Sequence, residues 1–267
     1  MIRKSFFAGK FYPETAEEIN ILFDHYFEKK QALKEKLIVP SGLIVPHAGY
    51  VFSGRTAAKG YRRILEKGQV KRVFILSPNH TGLGEKVSVF SKGYWNTPLG
   101  KIKVDEETAN ELIKSEIFKD DFKAHLREHS IEVQIPFIQY CFGNEVSIIP
   151  ITLKDQRFST SYKIAEFLRG ILNEGDLIIA STDLNHYEDH ETTVKKDEKL
   201  IETLKTFEAK KMYDTIKEYN ITMCGYGPVS VLLNLGFKNI EIIEHITSGE
   251  MIMEYDSVVG YLSALLY

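Results

Sequence analysis

Val73-Phe74-Ile75-Leu76-Ser77-Pro78-Asn79-His80-Thr81-Gly82 marks the sharpest change of character in the chain. An apolar, β-branched run that reads as a buried strand stops at Ser77-Pro78 and gives way to a polar loop with a histidine and a glycine turn. In open α/β sheets, ligands collect at the carboxyl ends of strands, where loops present side chains against a rigid edge. His80 is therefore the first candidate for chemistry. The same pattern precedes it: Ser41-Gly42-Leu43-Ile44-Val45-Pro46 reads as a short buried strand that ends in His47-Ala48-Gly49-Tyr50. Between the two strands, the spacing of Ala57, Ala58, Tyr61 and Leu65 predicts a helix, with Ser53 as its N-cap and Gly68 as its stop. A right-handed crossover makes such strands parallel and brings both histidines to one edge of the sheet.

The rest of the chain extends this arrangement. Ile19, Leu22, Phe23, Tyr26 and Phe27 place a helix over Glu14 to Lys30, after an aromatic lead-in and before a charged connector from Lys29 to Lys36. Val87 to Phe90 and Trp95 to Val104 read as extended, and Asp105 caps a helix over Glu106 to Ser115. Glu128 to Phe142 reads as a helix interrupted by Pro136 and stopped by Gly143. Val146 to Leu153 is a strand, and a helix from Ser159 to Leu172 follows. Asp176 to Ser181 is a third buried strand of the first type, running into Thr182-Asp183-Leu184-Asn185-His186. Two amphipathic segments, Thr193 to Phe207 and Ala209 to Tyr219, precede Met223-Cys224-Gly225 and an apolar helix over Val229 to Leu235. Strands over Ile240 to Ile246 and Ser257 to Leu266 close the fold. No repeat or Pro/Gly/Ser-rich linker divides the chain, so the expectation is one α/β domain over residues 1–267, with a mainly parallel central sheet flanked by helices.

Composition narrows the function classes. The 34 basic and 37 acidic residues leave a formal charge of -3, which gives no basic field to recommend nucleic acid as a partner. The N-terminal apolar stretch is too short for a signal-peptide core, and no window reaches the roughly 20 apolar residues that span a bilayer. A soluble, cytoplasmic protein without a membrane partner is expected. Two cysteines, Cys141 and Cys224, make no disulfide framework.

Four loops carry the residue types that bind metals or move protons: those of His47, of His80, of Asp183 and His186, and of Cys224. Each has a plainer reading. A strand-end histidine is as often hydrogen-bonded to backbone as it is a ligand, although two of them after parallel strands favour the functional reading. Asp183 fits a helix N-cap with His186 in the first turn; alternatively it orients a ligand while His186 acts as a general acid or base. Cys224, ahead of an apolar helix, sits where a thiol's pKa is lowered, against the default of a small buried hydrophobe, which suits Cys141. His129 and Glu132 lie one helical turn apart and are candidates for substrate contact or for support of the site, as is Tyr50 beside His47. His190 is discounted as a ligand, because His186-Tyr-Glu-Asp-His190 lacks the glutamate placement of zinc-protease helices. Thr81-Gly82-Leu83-Gly84 is a turn, not a dinucleotide fingerprint, and Arg55 is a surface arginine by default.

Taken together, Pro46-His47-Ala48-Gly49-Tyr50, Ser77-Pro78-Asn79-His80, Glu128-His129-Ser130-Ile131-Glu132-Val133-Gln134, Ser181-Thr182-Asp183-Leu184-Asn185-His186 and Cys224-Gly225 occur in the order found in Memo proteins, which the chain resembles from end to end. Memo proteins in turn resemble class III extradiol ring-cleaving dioxygenases, whose iron is held by two histidines and a glutamate. That resemblance implies a mononuclear metal held by His47, His80 and Cys224, with His186 as catalytic histidine and Asp183 beside it. Fe(II) is the first expectation, with Cu or Zn as alternatives; a thiolate in place of the carboxylate softens the site. It further implies redox chemistry of oxygenase type on a small molecule, and a radical-SAM protein as partner. Two other readings stay open: a non-catalytic protein that holds a peptide or protein partner in the same cleft, and a zinc hydrolase using the same ligands.

Overall fold

The computed structural model describes residues 1–27 and 36–267. The end of the expected first helix and nearly all of the charged connector lie outside the described residues. Among the described residues the structure is built on a nine-stranded sheet with a three-stranded sheet beside it. At its centre, four parallel strands run in the order Ser41–Val45, Asp176–Ser181, Arg72–Pro78, Ser147–Leu153. Every residue of the Ser41 and Asp176 strands is buried, which is why they read as continuous apolar runs rather than alternating ones. Beyond this core the pairing turns antiparallel: Val258–Leu266 runs antiparallel to Ser41–Val45, and Ile240–Thr247 runs antiparallel to Val258–Leu266 on its other side. The sheet is therefore mixed, parallel only where the crossovers are helical.

The parallel centre decides where the site falls. The strand ending at Ser181 lies between those ending at Val45 and Pro78, so three strand ends and their loops open on one edge. Local signals explain most elements. Thr15 and Glu18 form a capping box for the helix Ala16–Tyr26, and Asp105 caps Glu106–Lys114 through its side chain. Ser53 is not an N-cap, however: the helix begins a turn earlier and runs Tyr50–Lys67, and the Ser53 hydroxyl donates to Ala48 O from inside its first turn. Arg55 is accordingly an exposed helix residue. The Glu128–Phe142 segment forms two helices, His129–Glu132 and Ile135–Phe142, because a proline is tolerated only in a first turn, where its missing N–H has no carbonyl to serve. Asp189, not Thr193, opens the helix His190–Leu204, and its carboxylate accepts from Thr192 N.

A buried polar group behind the small sheet carries a pH signature. His125 is fully buried, and burial, reinforced by the nearby Arg3 charge, lowers its pKa to about 3. A histidine depressed in the folded state is protonated first in the unfolded chain. Its contribution is complete above the unfolded value near 6.5 and is lost as pH falls toward the folded one. His125→Phe is expected to remove a slope of about 1.4 kcal/mol per pH unit over that window. Urea midpoints measured from pH 7 to pH 4 check this, and parallel curves for both proteins would sink it.

Candidate metal centre

The loop after Pro78 is shaped by Asn79, whose Oδ1 accepts from Thr81 N at 3.0 Å and Gly82 N at 2.9 Å, the side-chain mimic of a backbone turn. This turn directs His80 at Glu128. Glu128 Oε2 accepts from His80 N at 2.6 Å, and Oε1 lies 2.9 Å from His80 Nδ1. A carboxylate can only accept, so Nδ1 carries the proton and Nε2 is left with its lone pair. The sequence does not single out Glu128, although it stands next to His129. Burial opposes its charge, yet its hydrogen bond to His80 and the surrounding histidines hold it down at about 2. In return, Glu128 outweighs burial at His80 and keeps that imidazole above its ordinary value.

His47 is oriented by a different device. Ser181 Oγ donates to Ser130 O at 2.7 Å and accepts from Gln134 Nε2 at 2.9 Å. Its only hydrogen is thereby used, so the 3.0 Å contact to His47 Nδ1 must be donated by the imidazole. Nε2 is bare and faces Cys224 Sγ at 3.2 Å. Burial, aided by the proximity of His80, keeps His47 well below the usual histidine value, so it is neutral, the form a metal requires.

Cys224 reaches this point because Gly225 has no side chain: a Cβ there would lie 2.7 Å from Ser181 O and 2.6 Å from Thr182 Cβ. The sulfur accepts from Asp183 N at 3.2 Å. The lowered thiol pKa expected from the following helix is overturned, since burial and then the Asp183 carboxylate push the Cys224 thiol up. Asp183 is not a helix cap either. Its loop continues into a strand, His186–Glu188, and its Oδ1 accepts from His47 N at 2.8 Å, tying the loop of His47 to that of Cys224. Burial raises the Asp183 carboxyl above the usual range.

One ligand atom from each of His47, His80 and Cys224 lies within 4.8 Å of the other two. They stand in a cleft of about 810 Å³ that also exposes His129, Asp183, His186, Phe11, Phe52 and Tyr261. His129 stacks on His80 at 4.7 Å and meets Phe11 in a tilted contact at the same distance, with burial lowering its pKa to about 4. His186 presents a ring whose buried Nδ1 has no hydrogen-bond partner. Two expected neighbours are not in the cleft. Glu132 turns the other way, drawn by Arg3, the amides of Phe6 and Phe7, and the Tyr12 hydroxyl. Tyr50 packs inward on Phe137 at 4.8 Å and donates to Val133 O at 2.6 Å. Cys141 is buried among apolar residues, as expected.

The donor set fits a metal on grounds internal to the structure. Two imidazoles have their Nε2 atoms bare and their Nδ1 protons committed, one to a carboxylate and one to a hydroxyl, and a sulfur stands beside them. A Glu128→Gln variant is expected to lower metal affinity about 10- to 100-fold, because an amide can donate to His80 and upset its tautomer. Competition titration of a divalent metal against a chelator measures this, and an unchanged constant would show that Glu128 does not support metal binding at His80.

Fold and site together define an α/β protein with a two-histidine, one-cysteine centre at the carboxyl edge of a parallel sheet. The chain belongs to the Memo family: the family profile described as Memo-like protein matches residues 3–265. Among its relatives are MEMO1 family proteins of Thermotoga neapolitana, 44% identical over 277 residues and covering 100% of both chains, and Saccharolobus islandicus, 40% identical over 273 residues and 96% of each. The crystal structure of uncharacterized protein JW3007 from Escherichia coli K12 shares the fold, with a TM-score of 0.57 at 10% identity over 85% of this chain and 99% of that one. Among the described residues, no helix is long and apolar enough to cross a membrane.

Proposed function

We propose that this Memo protein holds one Fe(II) ion with His47, His80 and Cys224 and carries out redox chemistry of oxygenase type on a small molecule in the cleft. The observation that carries the reading is the convergence of three ligand atoms from three separate loops within 4.8 Å. Thiolate and imidazole together favour Fe(II), Cu or Zn over Mg or Ca. When bound, the metal supplies a Lewis-acidic, redox-active centre with coordination positions left free by three protein ligands.

The chain's own residues supply the rest. His186 lines the cleft, and its imidazole takes or returns the proton. Asp183 keeps His47 in place by accepting from its backbone N–H. Phe11, Phe52 and Tyr261 line the cleft with aromatic surface, and among the described residues its lining contains no lysine or arginine to recruit a phosphate. Metal analysis of protein purified without oxygen or chelator tests the reading, followed by anaerobic Fe(II) titration. Protein that takes up no metal would turn the function toward binding a peptide in the same cleft. Stable Zn(II) with oxygen-independent turnover would turn it toward hydrolysis.

A further inference from the structure

Asp197 lies outside the cleft, on the helix His190–Leu204, with its carboxylate fully buried. We propose that Asp197, held by His245, is a positioning residue that fixes the two loops carrying Asp183, His186 and Cys224 relative to each other. The proposal rests on the metal-site reading above.

The connection can be followed atom by atom. Asp197 Oδ2 lies 2.9 Å from His245 Nε2, and Oδ1 accepts from Asn185 N at 3.0 Å. Asn185 is itself fully buried between Asp183 and His186. Its Oδ1 accepts from both Thr222 N at 3.1 Å and Thr222 Oγ1 at 3.2 Å. Thr222 Oγ1, having donated, accepts from His186 N at 2.7 Å. One side chain thus joins the loop after the Asp176–Ser181 strand to the segment that ends in Cys224. The strand Val258–Leu266 completes the clamp: Gly260 O accepts from Leu184 N and Gly260 N donates to Asn185 O, both at 2.8 Å. Gly260 must be a glycine for this, since a Cβ would stand 1.8 Å from Asp197 Oδ2. Burying a carboxylate against an imidazole and one amide is costly, and the best-attested gain from such a group is registry. Here the registry concerns the loops of the site.

The test uses full-length, metal-free protein titrated anaerobically with Co(II), read by the thiolate-to-Co(II) absorption and by the dissociation constant. Asp176→Asn is the control, because Asp176 is buried in an ion pair with Arg72 at 2.6 Å, at the opposite end of the same central strand. Asp197→Asn is expected to raise the Co(II) dissociation constant by up to about 10-fold, the lower end of the range for direct partners of metal ligands because Asp197 acts through Asn185 and Thr222, and to move the thiolate band. Asp176→Asn should leave both unchanged even where it lowers the melting temperature as much. An Asp197→Asn protein indistinguishable from wild type overturns the proposal, as does an equal loss in Asp176→Asn. If Asp197→Asn does not fold, His245→Gln decides: a moved band supports positioning and an unmoved one overturns it. A wild-type protein without any thiolate band overturns the metal-site reading and this inference with it. A normal wild-type band with insensitive variants overturns the positioning role alone.

Discussion

Cys224→Ala is expected to weaken Fe(II) binding on the order of a thousandfold, more than the 10- to 100-fold of an outer contact, because in the proposed site it removes the sole anionic ligand. That is about 4 kcal/mol at 1.4 kcal/mol per decade. The variant also isolates a proton. In the metal-free protein the thiol's pKa is raised, first by burial and then by Asp183, so the thiol is protonated at neutral pH. Metal binding must expel that proton, and wild-type affinity should therefore rise about tenfold per pH unit. The slope steepens as pH falls through the elevated value of His80, where a second proton has to leave, while the neutral His47 adds none. Cys224→Ala should lose one proton's worth of slope along with the affinity. Anaerobic titrations at three pH values decide the matter, and equal binding by the variant would remove Cys224 from the ligand set.

The second large effect lies behind the cleft, at Arg3 and Glu132. Their side chains are fully buried and ion-paired, and Glu132 also accepts from Phe7 N and the Tyr12 hydroxyl at 2.8 Å each. Arg3→Met leaves that carboxylate buried without its counter-charge, and breaking such a pair costs about 3–5 kcal/mol. The double variant Arg3→Met/Glu132→Gln should be less destabilised than the sum of its singles, because the uncompensated charge has gone. The consequence reaches the site through the chain. Glu132 anchors Phe6 and Phe7, and the same N-terminal arm carries Phe11, which lies 4.7 Å from His129 and lines the cleft. Urea unfolding of the two singles and the double measures the cycle; a single-variant cost below about 1 kcal/mol would show that the pair is not the arm's anchor.

How much of this was open to a reading of residues alone follows from the range of the interactions involved. The strand ending at Pro78, its counterpart ending at Val45 and the third ending at Ser181 were legible because apolar runs, prolines and glycine turns act within a few residues of themselves. So was the family, carried by five short motifs in order. Cys224, Asp183 and the histidines were legible as residue types at loop positions. The environment of each was not: the helix expected to lower the thiol's pKa is outweighed by burial and by Asp183, 41 residues away.

Glu128 shows the same limit from the other side. It shares a seven-residue motif with Glu132, and the sequence points to Glu132 alone as a residue of the site. Nothing within those seven residues distinguishes the two carboxylates. The buried guanidinium of Arg3, 129 residues from Glu132, takes one, and the loop shaped by Asn79 takes the other. Local pattern decided which segments become strands, which loops end at the sheet edge and which residue types they carry, because those choices are settled between near neighbours in the chain. Tertiary packing decided which carboxylate faces which histidine, which tautomer each imidazole adopts and how close the sulfur comes, because those are set by hydrogen bonds and burial between residues far apart in sequence.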